Sequence, residues 1–222
     1  MAAAKLPTLV FDYDGTIHQT MAVYKAAILQ NLSWLKETHH IEIPPVDDAT
    51  ISSWLGINVK DMWSSFLPQL DPKLTKEISG RVGKDMENLI RKGQGLWYDG
   101  IPSLLDLLKT EGYDMIIVSN CQSSYRDANW SAFSMDRWFQ TFYDCQSFDY
   151  QPKSAIINSI RQKQPGSYIM IGDRFSDMEG ARGSCIPFIG CLYGYGREGE
   201  LDRADLLVSK PAELLSAIHH LA

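Results

Sequence analysis

The run Thr8–Phe11, TLVF, is short and apolar and is followed at once by Asp12-Tyr13-Asp14-Gly15-Thr16. A run of this length closed by a polar turn reads as a strand buried on both faces that ends in a loop. Runs of the same kind recur at residues 115–118, 168–171, 186–189 and 206–208. Helical patterns lie between and after them at 101–109, 153–161, 176–182 and 212–221. Strands alternating with helices predict an α/β fold, a three-layer core in which helices cover both faces of a parallel sheet. Ligands of such sheets bind at the carboxyl ends of the strands, so the polar residues just after each apolar run become the candidates.

The stretch from about His18 to Gly95 breaks the alternation. Met21, Tyr24, Ile28, Leu32 and Leu35 repeat at three and four residues and share one helical face. Further helical patterns cover 49–55, 60–67 and 73–91, and no strand pattern intervenes. The expected organisation is a core of residues 1–17 and 96–222 interrupted by an all-helical cap domain of residues 18–95, with 93–95 as the return hinge. Placed straight after the first strand, such an insert is expected to act as a lid over the strand ends.

Composition narrows the function classes. The 222 residues carry a formal net charge of −6 with a pI near 5.3, which works against general attraction to nucleic acid or to anionic membranes. No apolar run approaches the ~20 residues that span a bilayer, and the first residues are too briefly apolar for a secretory signal. Cys121, Cys145, Cys185 and Cys191 show neither a C-x-x-C pair nor a disulfide framework. They are expected as free thiols in a reducing compartment, which points to the cytoplasm.

Four polar clusters fall after predicted strands or at helix starts: Asp12–Thr16, Ser119-Asn120, Lys153, and Gly172-Asp173-Arg174-Phe175-Ser176-Asp177. Two carboxylates two residues apart, with a glycine for a sharp turn, can supply a nucleophile and an acid/base above the sheet. Asp173 and Asp177 add negative charge that a divalent cation would have to neutralise, and hard oxygen ligands favour Mg²⁺. Ser119, Asn120 and Lys153 are then placed to receive a phosphoryl group, Ser119 by hydrogen bonding and Lys153 by offsetting charge. Each cluster also has a plainer reading: turn formation for Asp12 and Asp14, satisfaction of a strand end for Ser119 and Asn120, and a helix first turn for Asp177. A lysine at a helix start has no such excuse, since the dipole disfavours it there.

The order D-x-D-G-T, then S-N, then a lone lysine, then G-D-x-x-x-D resembles the haloacid dehalogenase superfamily of phosphatases, and the resemblance covers the whole core. The helical insert resembles the cap of the phosphoglycolate phosphatase-like branch, as do Gly194-Tyr195-Gly196 and Ala204-Asp205 near the C-terminal end. The resemblance implies a Rossmann-like core. It further implies Asp12 as nucleophile, Asp14 as general acid/base, Ser119, Asn120 and Lys153 at the phosphate, and Mg²⁺ on Asp12, Asp173 and the Asp14 carbonyl, with Asp177 as a ligand or a neighbour of one. Trp54, Gly56 and Lys60 in the insert become candidates for substrate contact. The expected substrate is a small phosphorylated metabolite.

Gln19 stands where many relatives carry an Asp, which bears on support of the insert junction. Val59 stands where sugar-phosphate mutases have an Arg, which weighs against a phosphomutase. Asp14 weighs against halide chemistry, which needs no acid for its leaving group. A phospho-receiver or binding module also clusters carboxylates, a hydroxyl residue and a lysine, but it needs no insert of this size. His39-His40 and His219-His220 are adjacent pairs, without the spacing that puts two ligands on one helical face.

Overall fold

The computed structural model describes residues 5–57 and 59–222, with the side chain of Lys60 left aside, so the expectation placed on that side chain lies outside the described residues. The chain divides into two compact units, one made of residues 1–19 and 96–222 and the other of residues 20–95. The first unit takes in His18 and Gln19, two residues beyond the expected boundary. His18 forms β-bridges with Asp14 and with Trp97, and Gln19 donates its backbone N–H to the Leu96 carbonyl and its side-chain amide to that of Trp97. Those bonds tie the outgoing and returning chains together.

Among the described residues the first unit is built on six parallel strands: β1 (Thr8–Phe11), β2 (Met115–Ser119), β3 (Thr141–Asp144), β4 (Tyr168–Gly172), β5 (Phe188–Cys191) and β6 (Leu206–Val208). Their order across the sheet is β3-β2-β1-β4-β5-β6. This is the expected α/β core of Rossmann-like topology. The chain order reverses on passing from β1 to β4, which marks the crevice above these strand ends as the place for a ligand. Phe11 pairs with Ile117 on one side and Ile171 on the other. This register brings Asp12, Ser119 and Asp173, which follow those residues closely, to one edge of the sheet.

Alternation along the strands sorts the core. Val10, Ile116, Val118, Met170 and Phe188 turn to one face, where they pack with Ile156, Ile157 and Ile160 of α7 (Lys153–Lys163) and Met178 and Ala181 of α8 (Phe175–Gly183). Leu9, Phe11, Ile117, Ile169 and Ile171, at 0 or 1% exposure, occupy the alternate positions. Helices α5 (Ile101–Glu111) and α9 (Leu214–Leu221) pack on each other, and α9 also meets β6. Burial of this kind contributes roughly 1.5–3 kcal/mol per large side chain and carries most of the fold's stability.

The sequence pattern misses two elements here, β3 and α6 (Ser123–Phe133). As an edge strand, β3 is buried only at alternate residues, so it presents no continuous apolar run. Only Tyr125, Ala128 and Asn129 of α6 are buried, and one of these is polar. The fifth strand starts at Phe188 and not at Ile186. Pro187 has no N–H for a ladder and instead accepts from Met170, while Cys185 two residues before it holds a φ of 51°. The last helix starts at Leu214, after a 3₁₀ turn at Pro211–Glu213.

The second unit consists, among the described residues, of α1 (Met21–His39), α2 (Asp48–Ser53), α3 (Val59–Phe66) and α4 (Pro72–Arg91). Its core is a pair of helical faces, Val23, Ala27, Ile28, Leu32 and Leu35 of α1 with Ile78, Val82 and Ile90 of α4. Asp47 caps α2 by accepting from the Thr50 N–H at 2.8 Å. Asp71 caps α4 by accepting from the N–H groups of Lys73 and Leu74, with Pro72 in the first turn.

Candidate active site

Asp12 follows β1 directly, is 5% exposed, and is held in place by donation of its N–H to the Ile171 carbonyl. Lys153, the first residue of α7, is 4% exposed and reaches into the same crevice. Its Nζ lies 2.5 Å from Asp12 Oδ1 and 2.6 Å from Asp177 Oδ1. These two carboxylates resolve the misfit of a cation at a helix N-terminus. Asp177 is fully buried, and its Oδ2 accepts from the backbone N–H groups of Asp173 and Arg174, so it closes the turn into α8 as well as bracing Lys153.

Asp173, at 0% exposure, has one oxygen on the Thr16 hydroxyl at 3.2 Å and the other on the Tyr195 N–H at 2.6 Å. Two glycines make that seat possible. Gly15 adopts φ +88°, and a Cβ on it would fall 2.2 Å from Asp173 Oδ2; one on Gly194 would fall 2.3 Å from Asp173 Cβ. Any side chain at either position drives into the carboxylate.

Asp12, Asp173 and Asp177 each offer an oxygen within 4.8 Å of the others, and all three are buried. One ammonium faces three carboxylates. Burial and then the charge of Asp177 push the Asp12 carboxyl up to about 7 despite the opposing pull of Lys153. Burial and then Asp12 and Asp177 push Asp173 well above the usual carboxylate range. Burial works against the Lys153 ammonium, but Asp12 and Asp177 outweigh it and hold its pKa above the ordinary value. The donor set is all oxygen, buried and short of positive charge, so the residues fit a hard divalent cation such as Mg²⁺.

Asp14 sits at the rim, its side chain 30% exposed. Its Oδ1 accepts from the Tyr125 hydroxyl at 2.7 Å and lies 3.6 Å from His18 Nδ1. Burial, and then the charge of Asp14, push the Tyr125 phenol well above its ordinary pKa, so it stays a donor. His18 is fully buried and stacks on Tyr13 with ring centroids 5.1 Å apart. Ser119 is buried at the end of β2, whereas Asn120 beside it is exposed.

Of the sequence-derived residues of the core, Asp12, Asp173, Asp177 and Lys153 thus lie in direct contact or close range, with Asp14 in the loop just beyond β1 and Ser119 and Asn120 at the end of the neighbouring β2. Those of the insert belong to the other unit. Trp54 packs its ring 4.7 Å from that of Phe66 and is 9% exposed, and Gly56 turns the chain after α2 with φ 79°. Residues to which the sequence reading assigns no site role are Tyr125, which lies on the unrecognised α6, and Tyr195, named there only within Gly194-Tyr195-Gly196, whose backbone N–H holds Asp173. The only signal for the latter is the pair of glycines around it.

The chain belongs to the haloacid dehalogenase-like hydrolases, whose family model matches residues 9–191. As a member of that family it is a hydrolase, and the curated relatives it resembles include phosphatases. It is 23% identical over 209 residues to a 5'-nucleotidase of Pseudomonas aeruginosa, covering 90% of this chain and 89% of the relative. It is 21% identical to a phosphoglycolate phosphatase of Vibrio vulnificus, covering 98% of each. Among solved structures, that of a predicted phosphoglycolate phosphatase from Haemophilus somnus superimposes with a TM-score of 0.84 at 18% identity, over 97% of this chain and 99% of that one. CbbY from Rhodobacter sphaeroides in complex with phosphate superimposes with a TM-score of 0.77 at 18% identity, over 97% and 100%.

Proposed function

We propose that the protein hydrolyses small phosphate monoesters in two steps through an aspartyl-phosphate on Asp12, with Mg²⁺ as cofactor. The observation that carries the reading is the buried contact of Asp12 with Lys153 inside a cluster of three carboxylates at the switch point of the sheet. The carboxylate of Asp12 attacks phosphorus while Asp14 gives its proton to the departing alkoxide. Asp14 then takes a proton from water, which attacks the acyl-phosphate, releases phosphate and restores Asp12. Lys153 offsets charge on the phosphoryl oxygens, and Ser119 and Asn120 donate hydrogen bonds to them. Asp12 and Asp173 would hold the metal together with the Asp14 carbonyl. Asp177, whose oxygens already serve Lys153 and the turn into α8, supports the site from behind. The chemistry Mg²⁺ supplies when bound is neutralisation of the cluster and of the incoming phosphate.

The unit of residues 20–95 is read as the cap that selects among substrates, with Trp54, Gly56 and Lys60 as its candidate contacts. Small phosphorylated metabolites fit both named relatives, one a phosphoglycolate phosphatase and one a 5'-nucleotidase. No helix among the described residues is long and apolar enough to cross a membrane. The site works on small soluble esters, consistent with cytoplasmic action. The test is phosphate release from a panel of phosphorylated metabolites, with Mg²⁺ and with excess EDTA. Release that depends on Mg²⁺ and falls mainly on a few panel members is the expected result; undiminished release in EDTA would remove the metal from the mechanism.

A further inference from the structure

The carboxyl of Asp14 stands at the rim of the site, yet one of its oxygens is anchored from inside the protein. The Tyr125 hydroxyl donates to Asp14 Oδ1 at 2.7 Å, and the same hydroxyl lies 3.3 Å from His18 Nδ1. A phenol has one proton to give, and a carboxylate can only accept, so that proton is committed to Asp14. Tyr125 is itself fixed on all sides. It is 7% exposed, its ring meets those of Tyr13 and His18 edge to face at 6.4 Å each, and its carbonyl accepts from Asn129 at 2.9 Å. Asn129 Oδ1 in turn accepts from the Tyr13 hydroxyl at 2.7 Å, and Trp97 donates to that hydroxyl at 3.2 Å. The strand-end loop, the returning chain and α6 are thereby locked around a single hydroxyl.

We propose that Tyr125 is a positioning residue for Asp14, whose donation to Oδ1 fixes the plane of the carboxyl and confines its catalytic proton to Oδ2. The proposal rests on the reading of Asp14 as the acid/base. The leaving group and the attacking water both lie on the side of phosphorus opposite Asp12, so an acid that later acts as a base serves both from one fixed oxygen. With Oδ1 occupied by a permanent donor, Oδ2 is the oxygen that carries the proton when Asp14 is an acid and accepts one when it is a base. A phenylalanine would fill the same space, so packing alone does not account for the hydroxyl.

The test compares first-turnover rates of the full-length parent, Tyr125→Phe, Asp14→Asn and the double variant, each with Mg²⁺. The two substrates are p-nitrophenyl phosphate and whichever alkyl phosphate the parent turns over best. An aryl leaving group needs little protonation, so misplacing the acid should spare it. Tyr125→Phe is expected to slow the first turnover of the alkyl ester about 10- to 100-fold. The burst of nitrophenolate should stay within about 3-fold of the parent rate. Burst amplitude counts folded sites and separates a stability loss from a chemical one. Adding Tyr125→Phe to Asp14→Asn should cost nothing further, because the two act as one unit. Equal slowing of both esters, or no slowing of either, overturns the proposal while leaving Asp14 in its role. If Asp14→Asn itself shows no dependence on the leaving group, the role of Asp14 fails and that of Tyr125 falls with it.

Discussion

The two units use their polar groups in opposite ways. In the unit of residues 20–95 polar side chains satisfy what the helices leave open. Asp47 and Asp71 accept from helix N-termini, and the buried Asn31 links the Ala27 carbonyl, Asp85 and Arg81, whose guanidinium lies 4.1 Å over Trp34. In the unit of residues 1–19 and 96–222 they accumulate charge that the protein alone does not balance. Asp12 is pushed upward by burial and by Asp177, Asp173 by burial and then by Asp12 and Asp177, and Lys153 serves two carboxylates at once. Folding alone does not favour such a cluster, since an uncompensated buried charge destabilises. A site kept at that cost is held for a ligand. The contrast supports the proposed reading, in which chemistry belongs to one unit and selection to the other.

The largest effect that could break the comparison is on the nucleophile. Asp12→Asn should abolish turnover of every substrate and leave no label on the protein after incubation with ³²P-substrate, while Asp48→Asn on α2 should keep the parent rate. Residual phosphoenzyme in Asp12→Asn would move the nucleophile elsewhere. A step smaller is the cation. Lys153→Ala is expected to lose at least about 10²-fold in kcat, roughly 2.7 kcal/mol of transition-state stabilisation. Lys25→Ala, which breaks an exposed pair with Asp48 in the other unit, should change it less than about 2-fold. Similar rates for the two variants would show that the contact with Asp12 is only structural.

The uncompensated charge gives a pH signature in stability. The Asp12 carboxyl, near 3.8 when unfolded and about 7 when folded, binds more protons in the folded state across that window. In EDTA its contribution to stability is therefore present at low pH and lost as pH rises through about 7, and Asp173 acts in the same direction. Asp144 and Glu200, whose pKa values are lowered, act in the opposite sense, but they do so with or without metal. The difference between melting temperatures in Mg²⁺ and in EDTA isolates the cluster and should widen by several degrees from pH 5 to pH 8. A gap that stays constant would mean that Mg²⁺ does not bind at these carboxylates.

The same contrast explains what was legible in the sequence. Strands β1, β2 and β4 are buried on both faces, so each is a continuous apolar run, and the polar residues after them stand out as candidates. The insert's helices are legible because α1 and α4 bury one face each. What escaped is half-buried or mixed: the edge strand β3 with its alternating burial, and α6, whose inward face includes Asn129. Tyr125 was invisible for that reason, since a tyrosine on an unread helix carries no sign that its hydroxyl faces Asp14. Lys153 was legible by contrast, because a cation at a helix start contradicts the dipole and so demands a partner.

The smallest effect tests the other half of the contrast, that carboxylates in the insert serve its helices and nothing more. Asp71 accepts from two N–H groups in the first turn of α4, at 2.8 and 2.9 Å, on an exposed part of the surface. Removing it leaves donors that water can reach, so Asp71→Ala should destabilise α4 by about 1 kcal/mol and not by the larger amount expected of a buried group. Asp71→Asn or Asp71→Ser keeps an acceptor and should recover most of that loss. Because α4 supplies Ile78, Val82 and Ile90 to the insert's core, the loss should register as an earlier melt of that unit and not as a fall in kcat. Urea titrations followed by tryptophan emission report on it, since Trp34, Trp54 and Trp63 lie in the insert and Trp97, Trp130 and Trp138 outside it. If Asp71→Ala instead lowers kcat below the assay temperature at which the protein remains folded, the insert's surface carboxylates take part in turnover and the division between the two units is wrong.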